Sequence, residues 1–128
     1  MILLDTCSLL WLADDPSRLS GPAREVLRQP GLAVYASAFS AFELGVKVAK
    51  RKLGLPKPLK EWFAAVCAQF AVRELPLTAA IAAAATELPG LHADPADRIL
   101  IATALEHHLT ILTPDDKMRQ YRRVRTLW

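Results

Sequence analysis

The sequence predicts an α/β fold: a three-layer α/β/α sandwich around a mainly parallel sheet of about five strands. Three observations predict it. Short β-rich runs recur along the chain, longer stretches with helical patterning separate them, and the runs are largely apolar, as in strands of a parallel sheet covered on both faces. The chain has 128 residues, 52% hydrophobic and 23% charged, which is the usual size of one domain with enough apolar surface for a core. Residues 1–128 are therefore read as a single domain. The same composition, with five glycines and two cysteines, excludes disordered, collagen-like and disulfide-stapled classes.

The elements follow in order. Ile2 to Leu4 opens the sheet, and helical patterning runs over Ser8 to Ala13. A helix over Pro22 to Gln29 has proline in its first turn and is stopped by Pro30-Gly31. Leu32 to Ala36 is the second strand and Ala41 to Lys52 the next helix; Gly54-Leu55-Pro56-Lys57-Pro58 breaks the chain before a helix over Leu59 to Gln69. Ala71 to Leu75 is the third strand. The alanine-rich helix over Ala79 to Leu88 follows from propensity alone, with a close dimer contact through its small residues as the alternative. Pro89-Gly90 ends it. Pro95 to His108, the strand Leu109 to Leu112, a short helix over Lys117 to Tyr121 and the strand Val124 to Leu127 complete the chain.

The amino terminus, MILLDTCSLLWLADD, lacks a basic stretch and reaches Asp5 too early for a signal peptide or a membrane span. A bacterial-type cytosolic setting is expected, in which Cys7 and Cys67 stay reduced.

Ligands of open parallel sheets bind outside the carboxyl ends of the strands. Asp5 follows the first strand, Glu43 follows the second on the first turn of its helix, Asp115 and Asp116 follow the fourth, and Asp97 opens the helix leading into that strand. Each acid has a purely structural explanation. Ser40-Ala41-Phe42-Glu43 fits a capping box, Asp94-Pro95-Ala96-Asp97 and Thr113-Pro114-Asp115-Asp116 are close variants, and Asp5 would cap the helix after it. Their coincidence at one sheet edge points elsewhere. Carboxylates gathered without matching arginines repel unless a hard divalent cation sits among them, and Mg²⁺ or Mn²⁺ there suits hydrolysis of a phosphodiester.

The formal charge is only +3, from 16 Lys and Arg against 13 Asp and Glu, so placement matters more than the total. On a helix, Lys47 lies about 40° from Glu43 and Lys50 about 20° on the other side, and Arg51 continues the stretch, so Lys47, Lys50 and Arg51 are candidates to hold the phosphates of a nucleic acid. A second basic run, Lys117, Arg119, Arg122, Arg123 and Arg125, surrounds Tyr121 and would extend the same rim.

Two other chemistries fit less well. Cys7 with His92, His107 or His108 suggests a Cys-His nucleophile, but no spacing fixes a histidine beside that cysteine, and a small buried thiol explains it. An aspartyl phosphotransfer domain wants a second acid two residues after Asp5, where Cys7 stands, and a glycine-rich phosphate loop. A non-catalytic domain of the same fold predicts lost acids, and all four acidic positions are filled: Asp5, Glu43, Asp97 and the Asp115-Asp116 pair.

Leu3-Leu4-Asp5-Thr6 with Leu9-Leu10-Trp11-Leu12, Phe42-Glu43-Leu44, His92-Ala93-Asp94-Pro95-Ala96-Asp97-Arg98-Ile99-Leu100-Ile101-Ala102 and Leu112-Thr113-Pro114-Asp115 together resemble PIN-domain ribonucleases, most closely the VapC-type toxins of bacterial toxin–antitoxin systems. The resemblance covers essentially the whole chain. It implies that Asp5, Glu43 and Asp97 form the acidic triad with Asp115 as the fourth acid, Asp116 being the alternative for that place. It further implies that Asp5 and Asp97 bear most directly on Mg²⁺ (or Mn²⁺), and that Thr6 and Thr113 orient the acids. Asp94 is left as a helix cap. The implied activity is Mg²⁺-dependent endoribonuclease cleavage of cellular RNA, restrained by a cognate antitoxin, in a homodimer or a toxin–antitoxin hetero-oligomer.

Overall fold

In a computed structural model, which describes residues 1–90 and 94–128, five strands form one sheet in the order β3-β2-β1-β4-β5. They are β1 (Ile2–Leu4), β2 (Val34–Ser37), β3 (Val72–Leu75), β4 (Thr110–Leu112) and β5 (Thr126–Leu127), and every pairing is parallel. Among the described residues seven α-helices connect them: α1 (Thr6–Asp14), α2 (Gly21–Leu27), α3 (Ala38–Ala49), α4 (Leu59–Phe70), α5 (Ala79–Thr86), α6 (Pro95–His107) and α7 (Asp116–Gln120). A short 3-10 turn over Pro16–Arg18 lies between α1 and α2.

Alternation along the central strands builds the two cores. Ile2 and Leu4 point into a cluster with Leu9, Ala23, Leu44, Trp62, Phe63 and Val66, while Leu3 between them points into one with Leu100, Ile101, Ala104, Ile111 and Met118. Helices α1 to α4 therefore cover one face, and α6 and α7 the other. The central strand β1 is wholly apolar because each of its side chains has a buried destination, whichever way it faces, whereas the edge strand β3 carries the exposed Arg73 and Glu74. Gly45 on α3 lets α4 approach closely: a Cβ there would meet Leu59 at 3.0 Å.

The alanine-rich α5 packs on α6 with Ile81 and Ala85 buried against Ala102, while Ala79, Ala80, Ala83 and Ala84 are exposed. Arg98 of α6 closes the end of α5. Its guanidinium donates to the carbonyls of Ala85 at 2.8 Å, Leu88 at 3.1 Å and Thr86 at 3.2 Å, orphan acceptors at a helix carboxyl end.

Two helix starts differ from expectation by more than one residue, and both bear on the site. Helix α3 begins at Ala38 rather than Ala41, because β2 runs to Ser37 and that residue caps the helix by accepting from the Phe39 amide at 3.0 Å. Glu43 thus lies in the second turn, and Ser40 is not an N-cap. Helix α1 begins at Thr6, directly after Asp5.

Candidate functional site

β1 sits at the centre of the sheet; the chain passes from it to β2 and β3 on one side, and β4 and β5 lie on the other. The carboxyl ends of β1 and β4 flank that reversal, where open α/β sheets place ligands. There a cleft of about 430 Å³ is lined by Asp5, Glu43, Asp94, Asp97 and Asp115, together with Thr6, Cys7, Lys47, Leu100 and Pro114. The four acids singled out from the sequence, separated by as many as 110 positions, therefore line one cavity. Among the described residues Lys47 is the one basic side chain in the lining.

Each acid is held from a different element. Asp5 is 5% exposed and caps α1 through the Ser8 amide at 2.8 Å, while its second oxygen accepts from Thr113 Oγ1 at 2.6 Å. Ser8 in turn donates its hydroxyl to the Leu112 carbonyl at 2.9 Å, so β1, α1 and the end of β4 form one bonded unit. Glu43 accepts from Thr6 Oγ1 at 2.5 Å, and Thr6 lies 2.9 Å from Ser40 Oγ. Thr6 has a single hydroxyl proton and spends it on the carboxylate, so the Ser40 proton carries the other contact. Asp115 caps α7 through the amides of Lys117 and Met118, at 2.8 and 3.3 Å, and its own amide donates to Thr113 at 3.1 Å. Asp94 caps α6 through the amides of Ala96 and Asp97, at 2.9 and 3.4 Å. Asp97 stands in the first turn of that helix. The capping role and the place at the cleft thus coexist for Asp5 and Asp115. Asp116 is different: its side chain is 85% exposed, 3.7 Å from Arg119, and outside the cleft lining.

Burial pushes the Asp5 carboxyl above its ordinary range; hydrogen bonds from Thr113 and Ser8 partly counteract this, and the charge of Asp115 adds to it. Burial likewise raises Glu43, with Thr6 and Lys47 opposing and Asp94 and Asp97 reinforcing. Burial raises the Cys7 thiol, and Asp5 beside it raises it further, so the cysteine rests as a thiol, the opposite of an activated nucleophile. His107 and His108 lie at the far end of α6 from Asp97, away from Cys7, and His92 lies outside the described residues. Cys7 and Cys67 are both free.

The basic residues divide. Lys47 is in the cleft; Lys50 lines an adjoining groove of about 420 Å³ that shares Glu43, Lys47 and Asp94 and carries Phe39 and Phe42. Arg51, in a left-handed conformation (φ 57°) past the end of α3, lines neither. The second basic run does not form one rim. Lys117 and Arg119 are on α7 beside Asp115, whereas Arg123 and Arg125 precede β5 and, with His108 and Leu109, sit at the opposite, amino-terminal edge of the sheet. A parallel strand reverses the edge to which its preceding loop belongs, and the spacing of the arginines gives no sign of that.

A match to the PIN domain model covers residues 2–124. The chain belongs to the PIN-domain family. This PIN domain is 34% identical over 131 residues to a Mycobacterium tuberculosis protein named Ribonuclease VapC22, an alignment covering 99% of this chain and 98% of that one. Its fold is also similar to FitAcB from Neisseria gonorrhoeae, at a TM-score of 0.66 and 29% identity, covering 100% of this chain and 97% of the other. VapBC2 from Rickettsia felis, solved bound to a DNA fragment from its promoter, shares the fold at a TM-score of 0.70 and 17% identity, covering 99% and 98% of the two chains.

The donors of this PIN domain fit a hard divalent ion in their chemistry: carboxylate oxygens, mutually repelling, at the mouth of a cleft with one lysine. Among the described residues no three such side chains converge as a ready-made cage. Mg²⁺ does not require one, since it keeps several waters and takes one or two carboxylates.

The sequence assigns no role to Ser8 and reads Ser40 as a helix cap, whereas both support the acids from behind. Both are fully buried and neither touches the cleft; their signal is a small hydroxyl three residues after Asp5 and three before Glu43, the spacing of a side chain that buttresses a helix-borne acid.

Proposed function

We propose that this PIN domain is a metal-dependent endoribonuclease, the toxin of a toxin–antitoxin pair, acting on cellular RNA in the bacterial cytoplasm. The observation that carries the reading is the convergence of Asp5, Glu43, Asp97 and Asp115 on one cleft at the sheet's switch point. The near full-length identity to a protein named as a VapC ribonuclease supports the substrate class. Pairing with a cognate antitoxin, and assembly as a homodimer or a toxin–antitoxin hetero-oligomer, rest on the resemblance of the acid motifs to VapC-type toxins.

Asp5 and Asp97 would hold Mg²⁺ or Mn²⁺. Bound there, the ion would lower the pKa of a coordinated water and neutralise charge developing on the phosphate. Thr113 and Ser8 fix the Asp5 carboxylate in one orientation, leaving no rotamer search when substrate arrives. Thr6 does the same for Glu43 Oε1. A half-buried carboxyl with a raised pKa is suited to taking a proton from the attacking water near neutral pH, and that role falls to Glu43. Lys47 places a fixed positive charge against a phosphate oxygen, and Lys50 continues the contact along the adjoining groove.

Purified protein incubated with bulk bacterial RNA and Mg²⁺ should cut it internally. EDTA should abolish cleavage and Mn²⁺ restore it, and Asp97→Asn should be inactive with an unchanged circular dichroism spectrum. Undiminished cleavage by Asp97→Asn, or in EDTA, overturns the reading.

A further inference from the structure

The edge of the sheet opposite the acidic cleft carries an electropositive concavity. It encloses about 240 Å³ and is lined by Arg123, Arg125 and His108 over Leu109, Val124 and the end of α6. None of its lining residues is acidic, and among the described residues neither arginine is in an ion pair.

The arginines are held on a fixed turn. Tyr121 and Val124 are buried pegs on either side of Arg122 and Arg123; the Tyr121 hydroxyl donates to the Pro89 carbonyl at 3.1 Å. Immediately after, the Arg125 carbonyl accepts from the Ile111 amide at 2.9 Å, fastening the segment to β4. The carbonyls at the end of α6 are largely satisfied from within: the Ala104 carbonyl accepts from the Leu109 amide at 2.8 Å, and His108 turns the chain in a left-handed conformation. An anion entering the concavity therefore meets guanidinium groups on an anchored frame.

We infer that Arg123 and Arg125 form a phosphate-binding exosite for RNA, which grips the backbone of a long substrate on the side of the molecule away from the cleft. The inference rests on the ribonuclease reading, which supplies a polyanion able to reach both edges. A folded RNA bound at the cleft is bulky enough to reach around the domain to the opposite edge, whereas a short oligonucleotide seated in the cleft has its phosphates taken up there. The contacts would add affinity without sequence preference, because guanidinium groups on phosphates carry no base readout.

The test measures binding in an Asp97→Asn background, so that RNA survives, with bulk tRNA and hexauridylate as probes. Replacing both arginines by alanine (Arg123→Ala with Arg125→Ala) should weaken tRNA binding about tenfold at low salt. It should also reduce the slope of log affinity against log salt by roughly 1.4 to 1.8, two phosphate contacts' worth, with hexauridylate binding unchanged. Replacing both by lysine should keep most of the tRNA affinity, since point charges suffice for backbone contact. Unaltered tRNA affinity and slope in the alanine pair overturns the exosite, as does equal weakening for both probes, which would mean the arginines act through the cleft or the fold. A lysine pair as weak as the alanine pair overturns it too. If the Asp97→Asn parent binds neither probe, the ribonuclease reading fails and the exosite falls with it, an outcome distinct from loss in the arginine variants alone.

Discussion

Thr113 Oγ1 donates to Asp5 Oδ2 at 2.6 Å, joining residues 108 positions apart across the two strand ends that flank the reversal in the sheet. The same hydroxyl oxygen accepts from the Asp115 amide at 3.1 Å, so one threonine sets both acids. Thr113→Val keeps the shape and removes the donor, leaving a buried carboxylate oxygen short of a partner. It should cost about 1 to 3 kcal/mol in urea denaturation, while Thr113→Ser should retain most of the stability. Thr113 also lowers the Asp5 pKa, so the valine variant should move the acid limb of the cleavage rate to higher pH. An unmoved limb would show that Asp5 titrates independently of this bond.

The cluster of acids should make the metal-free protein less stable at neutral than at mildly acidic pH. Asp5 and Glu43 both have folded pKa values raised above their ordinary ones. For a raised carboxyl, the folded state favours the protonated form, so its contribution is fully present below the unfolded pKa and lost as pH rises through the folded value. Melting temperature in EDTA should therefore fall as pH climbs out of the ordinary carboxylate range, and Asp5→Asn should flatten the fall. At pH 7 that variant should be more stable than the parent by about 0.5 to 2 kcal/mol, the range of a stabilising change at a strained functional site. A destabilised Asp5→Asn at pH 7 would mean that its hydrogen bonds outweigh the burial of its charge.

Much of this arrangement is legible in the sequence because the relevant signals are local. Asp5 ends an apolar run, Asp94 and Pro95 announce a helix, and the short, largely apolar strands point to a sheet covered on both faces. What is not legible depends on where a strand stops. The start of α3 shifts by three residues because Ser37 finishes the strand and caps the helix at once, so Ser40 turns inward to Thr6. Arg123 and Arg125 look like neighbours of Lys117 in sequence, yet the return to the amino-terminal edge before β5 carries them to the other side of the sheet.

Lys47 is the lining residue whose removal should separate binding from fold. It is half-buried beside Glu43, whose pKa it lowers. Lys47→Met keeps the aliphatic stem and deletes the charge. RNA affinity should fall, with the salt slope reduced by about 0.7 to 0.9 for one lost phosphate contact. The acid limb of the pH profile should also move up, because Glu43 is then harder to ionise. Circular dichroism and melting should change little. A variant with normal salt slope and normal pH profile would remove Lys47 from the site.

Arg98 stands next to Asp97 but turns away from the chemistry, toward the carbonyls at the end of α5. Arg98→Met preserves length and apolar packing while leaving three carbonyl contacts without their charged donor. The expected cost is about 1.5 to 3 kcal/mol, measured by urea denaturation with an unchanged m-value. Arg98→Lys should recover only part of it, because a single ammonium cannot reproduce the planar fork that reaches three oxygens at once. Since α6 carries Asp97 in its first turn, loosening its junction with α5 should also lower kcat more than it raises KM. A variant that loses stability yet keeps full kcat would show that Asp97 is positioned by α6 itself, through the Asp94 cap, rather than by the contact with α5.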